Sequence, residues 1–176
     1  VNLDFYYTKT TDMLLNVPVP SVSGFTQSLM NIGSMENKGI EINLSSRKQI
    51  GDFHYELTAN WSLNRNKVLS LGDEDAPMIV ESSYAGGYYI TQVGQPVGCY
   101  YLMVQDGIFH NQEELDSYPH FDTTVVGDFR FVDADGDGVL EKDDDRVVVG
   151  NYMPDFYYGF GLSLGYKGFD FLANFQ

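Results

Sequence analysis

The chain of 176 residues contains little cysteine and little positive charge, and each shortage excludes a class of protein. Cys99 is the only cysteine, so neither an intrachain disulfide nor a zinc site built from several thiolates can form. Only 10 Lys and Arg residues stand against 25 Asp and Glu residues, which gives a formal net charge of −15. A nucleic-acid binder needs a basic face that replaces phosphate counterions, so we expect no nucleic-acid partner.

Long apolar runs and catalytic signatures are also missing. No stretch reaches the roughly 18 apolar residues of a transmembrane helix, although this does not exclude barrel strands, which are short and alternate. The sequence has no HExxH or Walker signature. The three histidines, His54, His110 and His120, lack metal-ligand spacing. We therefore expect that the chain is not an enzyme.

Aromatic residues and glycine are abundant, with 13 Tyr, 12 Phe and 18 Gly, and this favours a β protein. Alternation of apolar and polar residues, which marks a strand with one buried face, recurs along the chain. In the clearest case Phe53, Tyr55 and Leu57 begin an apolar face that ends near Leu63, and His54 begins the opposite polar face. The other alternating segments are 1–7, 40–45, 158–166 and 169–175.

The connections between these strands favour a membrane barrel. Gln49–Asp52 and Lys167-Gly168 are tight turns, whereas the link between the first two strands and the link from Leu63 to Phe156 are long. If the strands alternate up and down, both tight turns lie on one side, as in outer-membrane barrels. We expect an all-β fold in which antiparallel strands form part of a transmembrane β-barrel with long extracellular loops. The alternative is a soluble secreted β-sandwich, such as a calcium-stabilised carbohydrate-binding module.

This interpretation divides the chain into three parts. Residues 1–71 would form barrel strands with one extracellular loop, and residues 153–176 would form a barrel hairpin. Residues 72–152, which carry most of the acidic charge, would form an ordered extracellular subdomain. Within it, the run from Val93 to Phe109 is compatible with a small hairpin.

One motif in the acidic subdomain carries metal chemistry. Residues 133–144 read DADGDGVLEKDD and follow the EF-hand loop, in which oxygen ligands stand at positions 1, 3, 5, 7, 9 and 12 and glycine at position 6. The ligands for a structural Ca²⁺ would be Asp133, Asp135, Asp137, the carbonyl of Val139, Glu141 and Asp144. Asp replaces the usual Glu at position 12, where Asp143 or Asp145 could substitute for Asp144. The alternative is an acidic turn that binds no metal.

Several segments resemble the SusC/RagA family of TonB-dependent outer-membrane transporters of Bacteroidetes. They are NIGSMENKGIEINLSSRK (31–48), NWSLNRNKVLSLG (60–72), GQPVGCYYLMVQDGIF (94–109) and the stretch from Gly127 to Phe171. The order of these segments is more specific than any one of them. The acidic turn departs from the family form, because Asp143, Asp144 and Asp145 before Arg146 make it one residue longer.

The resemblance implies a location, a function and partners. It implies a fragment of a nutrient-uptake transporter in the outer membrane of a Gram-negative bacterium, with membrane lipid around the barrel. The imported substrate would be a glycan or a peptide, and a SusD-like surface lipoprotein would cap the barrel. Coupling to TonB would run through a plug and an N-terminal box, which lie outside this chain.

Overall fold

A computed structural model describes residues 1–18, 27–72, 75–81 and 87–176, and in it the chain divides into two compact units. The first unit contains Val1–Ala76, Val93–Pro96 and Met153–Gln176, and the second contains Pro77–Gln92 and Val97–Tyr152. The first unit is an open antiparallel sheet with the strand order β1-β2-β3-β10-β11. Its strands are β1 (Asn2–Pro18), β2 (Gln27–Ile50), β3 (Phe53–Leu71), β10 (Tyr157–Tyr166) and β11 (Phe169–Phe175).

The cross-strand register of this sheet separates the side chains into two faces. In one cross-strand row, Leu57 pairs with Leu162, which pairs with Ala173. In the next row on the same face, Ala59 pairs with Leu44 and Phe160. Between these apolar rows, Thr58 pairs with Ser45 and Gly161 on the opposite face. The alternation predicted from the sequence is therefore confirmed, because the register continues each strand's apolar face onto its neighbour.

Both tight turns lie at the same end of the sheet, as predicted. Ile50 pairs with Phe53 across the first turn, and Tyr166 pairs with both Phe53 and Phe169 beside the second. The second turn is Lys167-Gly168, whose φ angles of 45° and 86° are both positive, as a type I′ hairpin turn requires. The long links therefore leave the sheet from its opposite end.

The first three strands are longer than the alternating segments indicated. β1 has 17 residues, β2 has 24 and β3 has 19, so the link expected between β1 and β2 is largely strand. Their pairing continues to Pro18 opposite Gln27, past an irregularity between Thr10 and Met13 where Asp12 has a φ of 57°. Sequence alternation missed this extension because polar and apolar residues are mixed on both of its faces.

The second unit contains two small antiparallel sheets and one short helix. The first sheet has the order β4-β5-β6-β9, and the second pairs β7 with β8. Their bounds are β4 (Met78–Glu81), β5 (Tyr88–Thr91), β6 (Cys99–Met103), β7 (Gln105–Ile108), α1 (Gln112–Ser117), β8 (Phe129–Phe131) and β9 (Arg146–Gly150). In the described ranges no helix has the length and apolarity needed to cross a membrane.

The hairpin expected within Val93–Phe109 is wrong. β6 pairs with β5 and β9, whereas β7 pairs with β8, so the two strands of this run belong to different sheets. Only Val104 separates β6 from β7, which leaves no room for a reversing turn. The true partners come from distant parts of the chain, and local sequence carries no signal for them.

Candidate functional site

The apolar face of the five-stranded sheet is exposed and has aromatic residues at both ends. Phe5 is 70% exposed, Phe171 is 56% exposed and Phe175 is 62% exposed. At the tight-turn end the aromatic residues are Phe53, Tyr55, Tyr166, Phe169 and Phe171; at the opposite end Trp61 stacks on Phe156, which contacts Tyr158. An exposed apolar band with aromatic rims is typical of the lipid-facing surface of a membrane barrel.

The opposite face is polar and contains glycines that accommodate its larger side chains. His54 lies over Gly165, and a Cβ atom added there would come within 2.0 Å of the His54 ring. Thr58 and Asn60 lie in the same way over Gly161 and Gly159. These glycines let polar side chains lie close to the sheet, and the face is suited to contact water rather than lipid.

The acidic loop of the second unit brings three of its carboxylates together. One oxygen atom from each of Asp133, Asp135 and Asp137 lies within 4.8 Å of the others. Backbone N–H groups hold all three in place: Gly136 and Gly138 donate to Asp133 at 2.7 and 2.8 Å, Asp137 donates to Asp135 at 3.2 Å, and Val139 donates to Asp137 at 2.7 Å. Three hard oxygens in a tight turn are the beginning of a Ca²⁺ site, which takes six to eight.

A fourth carboxylate, Asp145, closes the loop. Its side chain is only 1% exposed and accepts hydrogen bonds from the backbone N–H groups of Ala134 at 2.6 Å and Glu141 at 2.7 Å. Leu140 in the same loop is also buried. Asp145 thus joins the start of the loop to its end.

Hydrogen bonds and like charges shift the pKa values of this loop in opposite directions. The backbone N–H of Gly138 is the largest cause that lowers the pKa of Asp133. For Asp135 the backbone N–H of Asp137 lowers the pKa, but burial and the neighbouring Asp137 charge raise it more, so its net shift is upward. The hydrogen bond with Asp144 and its charge raise the pKa of Glu141. Neighbouring like charges and burial thus oppose the ionisation of Asp135 and Glu141.

The structure gathers only part of the predicted ligand set. Asp133, Asp135 and Asp137 form the group, whereas the exposed carboxylates of Glu141 and Asp144 lie outside it and interact with each other. Asp145 occupies the buried position at the end of the loop. The extra acidic residue before Arg146 was the one sequence signal that Asp145, rather than Asp144, ends the loop. The Ca²⁺ ligand set stays a prediction.

The sheet has one apolar face and one polar face, and both of its tight turns lie at the same end. These features define a segment of the wall of a membrane β-barrel. Residues 1–174 match the family model "TonB dependent receptor-like, beta-barrel", and the chain belongs to this family. The relatives include TonB-dependent receptor P26 of Formosa agariphila, which is 38% identical over 99% of this chain. TonB-dependent receptor SusC of Bacteroides thetaiotaomicron is 28% identical over 96% of this chain.

The matches cover a small part of each relative. The chain spans 18% of the length of receptor P26 and 16% of the length of SusC. Among solved structures, the RagAB peptide importer in its "open-open" state aligns with 98% of this chain, at a TM-score of 0.71 and 24% identity. The "closed-closed" state aligns with a TM-score of 0.69. These structural matches support the barrel fold of the chain.

Proposed function

We propose that this chain forms part of the wall and the extracellular loops of a TonB-dependent transporter in the outer membrane of a Gram-negative bacterium. The observation that carries the proposal is the sheet with one exposed apolar face and one polar face. In this assignment the apolar face contacts lipid and the polar face lines the lumen. The chain performs no catalysis.

The location is tested by cell fractionation of the full-length protein. We expect it in the outer-membrane fraction, extracted only by detergent, with heat-modifiable migration on gels. Recovery of the full-length protein in the soluble fraction without detergent would contradict the proposal. That result would favour the soluble β-sandwich.

The transported substrate is a glycan or a peptide, and a SusD-like lipoprotein is the partner. The similarity to SusC and to the RagAB peptide importer supports these assignments, and the acidic, aromatic-rich second unit supplies residue types that anchor interfaces. Because the chain from β3 to β10 leaves the sheet at the end away from its tight turns, the second unit lies outside the cell in this proposal. TonB would contact parts of the protein beyond this chain.

The partner and the substrate require separate measurements. Affinity purification of the full-length protein should recover the lipoprotein, and replacing residues 87–89 by Gly and Ser should weaken this without affecting barrel insertion. Undiminished recovery would exclude contact at these residues. Uptake of labelled peptides and glycans by wild-type and deletion strains would identify the substrate class.

Ca²⁺ is the proposed structural cation of the acidic loop. Asp133, Asp135 and Asp137 would supply ligands, and the buried Asp145 is better placed than Asp144 to complete the loop. Extracellular calcium is abundant enough for a site of millimolar affinity. Chelator should increase protease cleavage within residues 128–146, and added Ca²⁺ should reverse it. Cleavage that is unaffected by both would contradict the proposal.

A further inference from the structure

Basic residues are concentrated just beyond one end of the apolar face. Lys9 on β1, Lys38 on β2 and Arg65 and Lys67 on β3 are four of the 10 basic residues of a chain with net charge −15. The register pairs Tyr7 with Lys38 and Lys38 with Arg65, and it pairs Lys9 with Glu36 and Glu36 with Lys67. We call Lys9, Lys38, Arg65 and Lys67 the outer basic patch.

The outer basic patch lies on the same face as the apolar band. Phe5, Ile40 and Leu63 form one cross-strand row, and the Lys38 row and the Lys67 row follow at two-residue steps along β3. Side chains two residues apart in a strand share a face. The hydrogen bond that Tyr7 donates to Glu36 at 3.1 Å and the contact of Lys38 with Glu36 at 3.7 Å agree with this placement.

The patch begins where the apolar band reaches the thickness of a membrane. From Phe53 to Leu63, at roughly 3.4 Å per residue and a strand tilt of about 40°, the band is roughly 26 Å tall. The apolar band of outer-membrane barrels is about 25 Å tall. The Lys38 and Lys67 rows therefore fall at the level of the lipid headgroups, on the side away from the tight turns.

Two of the four basic side chains in the patch form ion pairs, and the other two remain available to bind an external anion. Lys38 contacts Glu36, and Arg65 contacts Asp155 at 3.0 Å. Across the described ranges no ion pair involves Lys9 or Lys67, and both side chains are exposed. Neighbouring strands are about 4.8 Å apart, so Lys9 and Lys67 flank Glu36 at a backbone separation of about 10 Å.

We propose that the outer basic patch binds the phosphate-bearing headgroup of a lipid in the outer leaflet. The inference rests on the proposed membrane location, because the patch continues the lipid-facing surface. Lys and Arg attract anionic headgroups at a membrane surface. Their long side chains can also extend from an apolar surface to the headgroup level. Residues 73–145, with 17 acidic and only two basic residues, would repel such headgroups, so the patch is the attractive region on this side of the sheet.

The test uses the full-length protein in detergent with bisphosphorylated lipid A as the probe. Each cation near an anionic surface contributes about 1 kcal/mol, which is roughly fivefold in binding. Lys9→Gln with Lys67→Gln should therefore weaken lipid A binding roughly 30-fold. The matched control, Arg47→Gln with Lys142→Gln, removes the same charge elsewhere and should bind as the wild type does.

Further measurements test whether binding depends on the lipid phosphates and whether the variants still insert into the membrane. Dephosphorylated lipid A should bind the wild type as weakly as lipid A binds the double variant, and inorganic phosphate at millimolar concentration should not compete. Equal binding by wild type and the Lys9/Lys67 variant, or displacement by inorganic phosphate, would overturn the inference. All variants should keep heat-modifiable migration. If the wild-type protein itself did not insert into membranes, the proposed membrane location would be refuted instead.

Discussion

An arginine placed on either face of β3 at one depth tests which face contacts lipid. Leu57 and Thr58 are adjacent and lie midway between Phe53 and Leu63, so they share one membrane depth while pointing to opposite faces. Leu57 pairs with Leu162 on the apolar face, and Thr58 pairs with Ser45 on the polar face. The comparison therefore holds the strand and the depth nearly constant and changes the side of the sheet.

The expected cost differs strongly between the two variants. A lysine or arginine on the lipid face at the bilayer midplane costs about 2–4 kcal/mol, which corresponds to roughly 30-fold to several-hundred-fold in the folding equilibrium. Leu57→Arg pays this cost because Leu57 is 36% exposed on the apolar face. Thr58→Arg does not, because its guanidinium would remain in water over Gly161.

Folding of the full-length protein into lipid vesicles measures this difference. The folded fraction is read from heat-modifiable migration after equilibration over a series of urea concentrations. Leu57→Gln, which adds polarity without charge, should lie between the wild type and Leu57→Arg. Equal folding of Leu57→Arg and Thr58→Arg would refute the assignment of the apolar face to lipid.

Three predictions concern the acidic loop, and limited proteolysis within residues 128–146 checks each. Without Ca²⁺, Asp133→Asn should increase cleavage because it loses a carboxylate that accepts two N–H groups, whereas Asp135→Asn should not, because it removes a repelling charge. Asp145→Ala should cost about 1.5–3 kcal/mol for each lost hydrogen bond to its charged carboxylate, while exposed Asp144→Ala changes little. The lowered pKa of Asp133 means that its stabilisation is present above about pH 4 and lost as the pH falls, so cleavage by an acid protease should rise there unless Asp133 is Asn.

The two faces of the sheet could be predicted from sequence because one physical requirement dictates them. Every second residue of a membrane strand contacts lipid, so the pattern Phe53, Tyr55, Leu57 is readable without any partner strand. The tight turns at Gly51 and Gly168 are readable for a similar reason, since positive φ angles favour glycine there. These local signals were sufficient to place five strands and the common end of both turns.

The remaining features depend on contacts between distant residues. β1 continues to Pro18 because it pairs with β2, and neither strand segment alternates beyond the apolar band. β6 finds its partners in β5 and β9, which the sequence around Leu102 cannot specify. The role of Asp145 follows from its hydrogen bonds to Ala134 and Glu141, whereas ligand counting along the motif favoured Asp144.

The glycines under His54, Thr58 and Asn60 have a consequence for how β10 finds its alignment. Apolar alternation disfavours a shift of β10 by one residue against β3, because that shift would exchange the two faces. A shift by two residues keeps each side chain on its face, so alternation does not disfavour it. The polar-face sequence of β10 is Gly159, Gly161, Ser163 and Gly165, and Ser163 lies opposite Glu56. A two-residue slip in either direction would place the Ser163 Cβ beneath His54 or Thr58, where a Cβ added at the native glycine would clash with the side chain above it. The single serine among the glycines thus opposes both two-residue slips by steric clash and favours one alignment of β10 with β3.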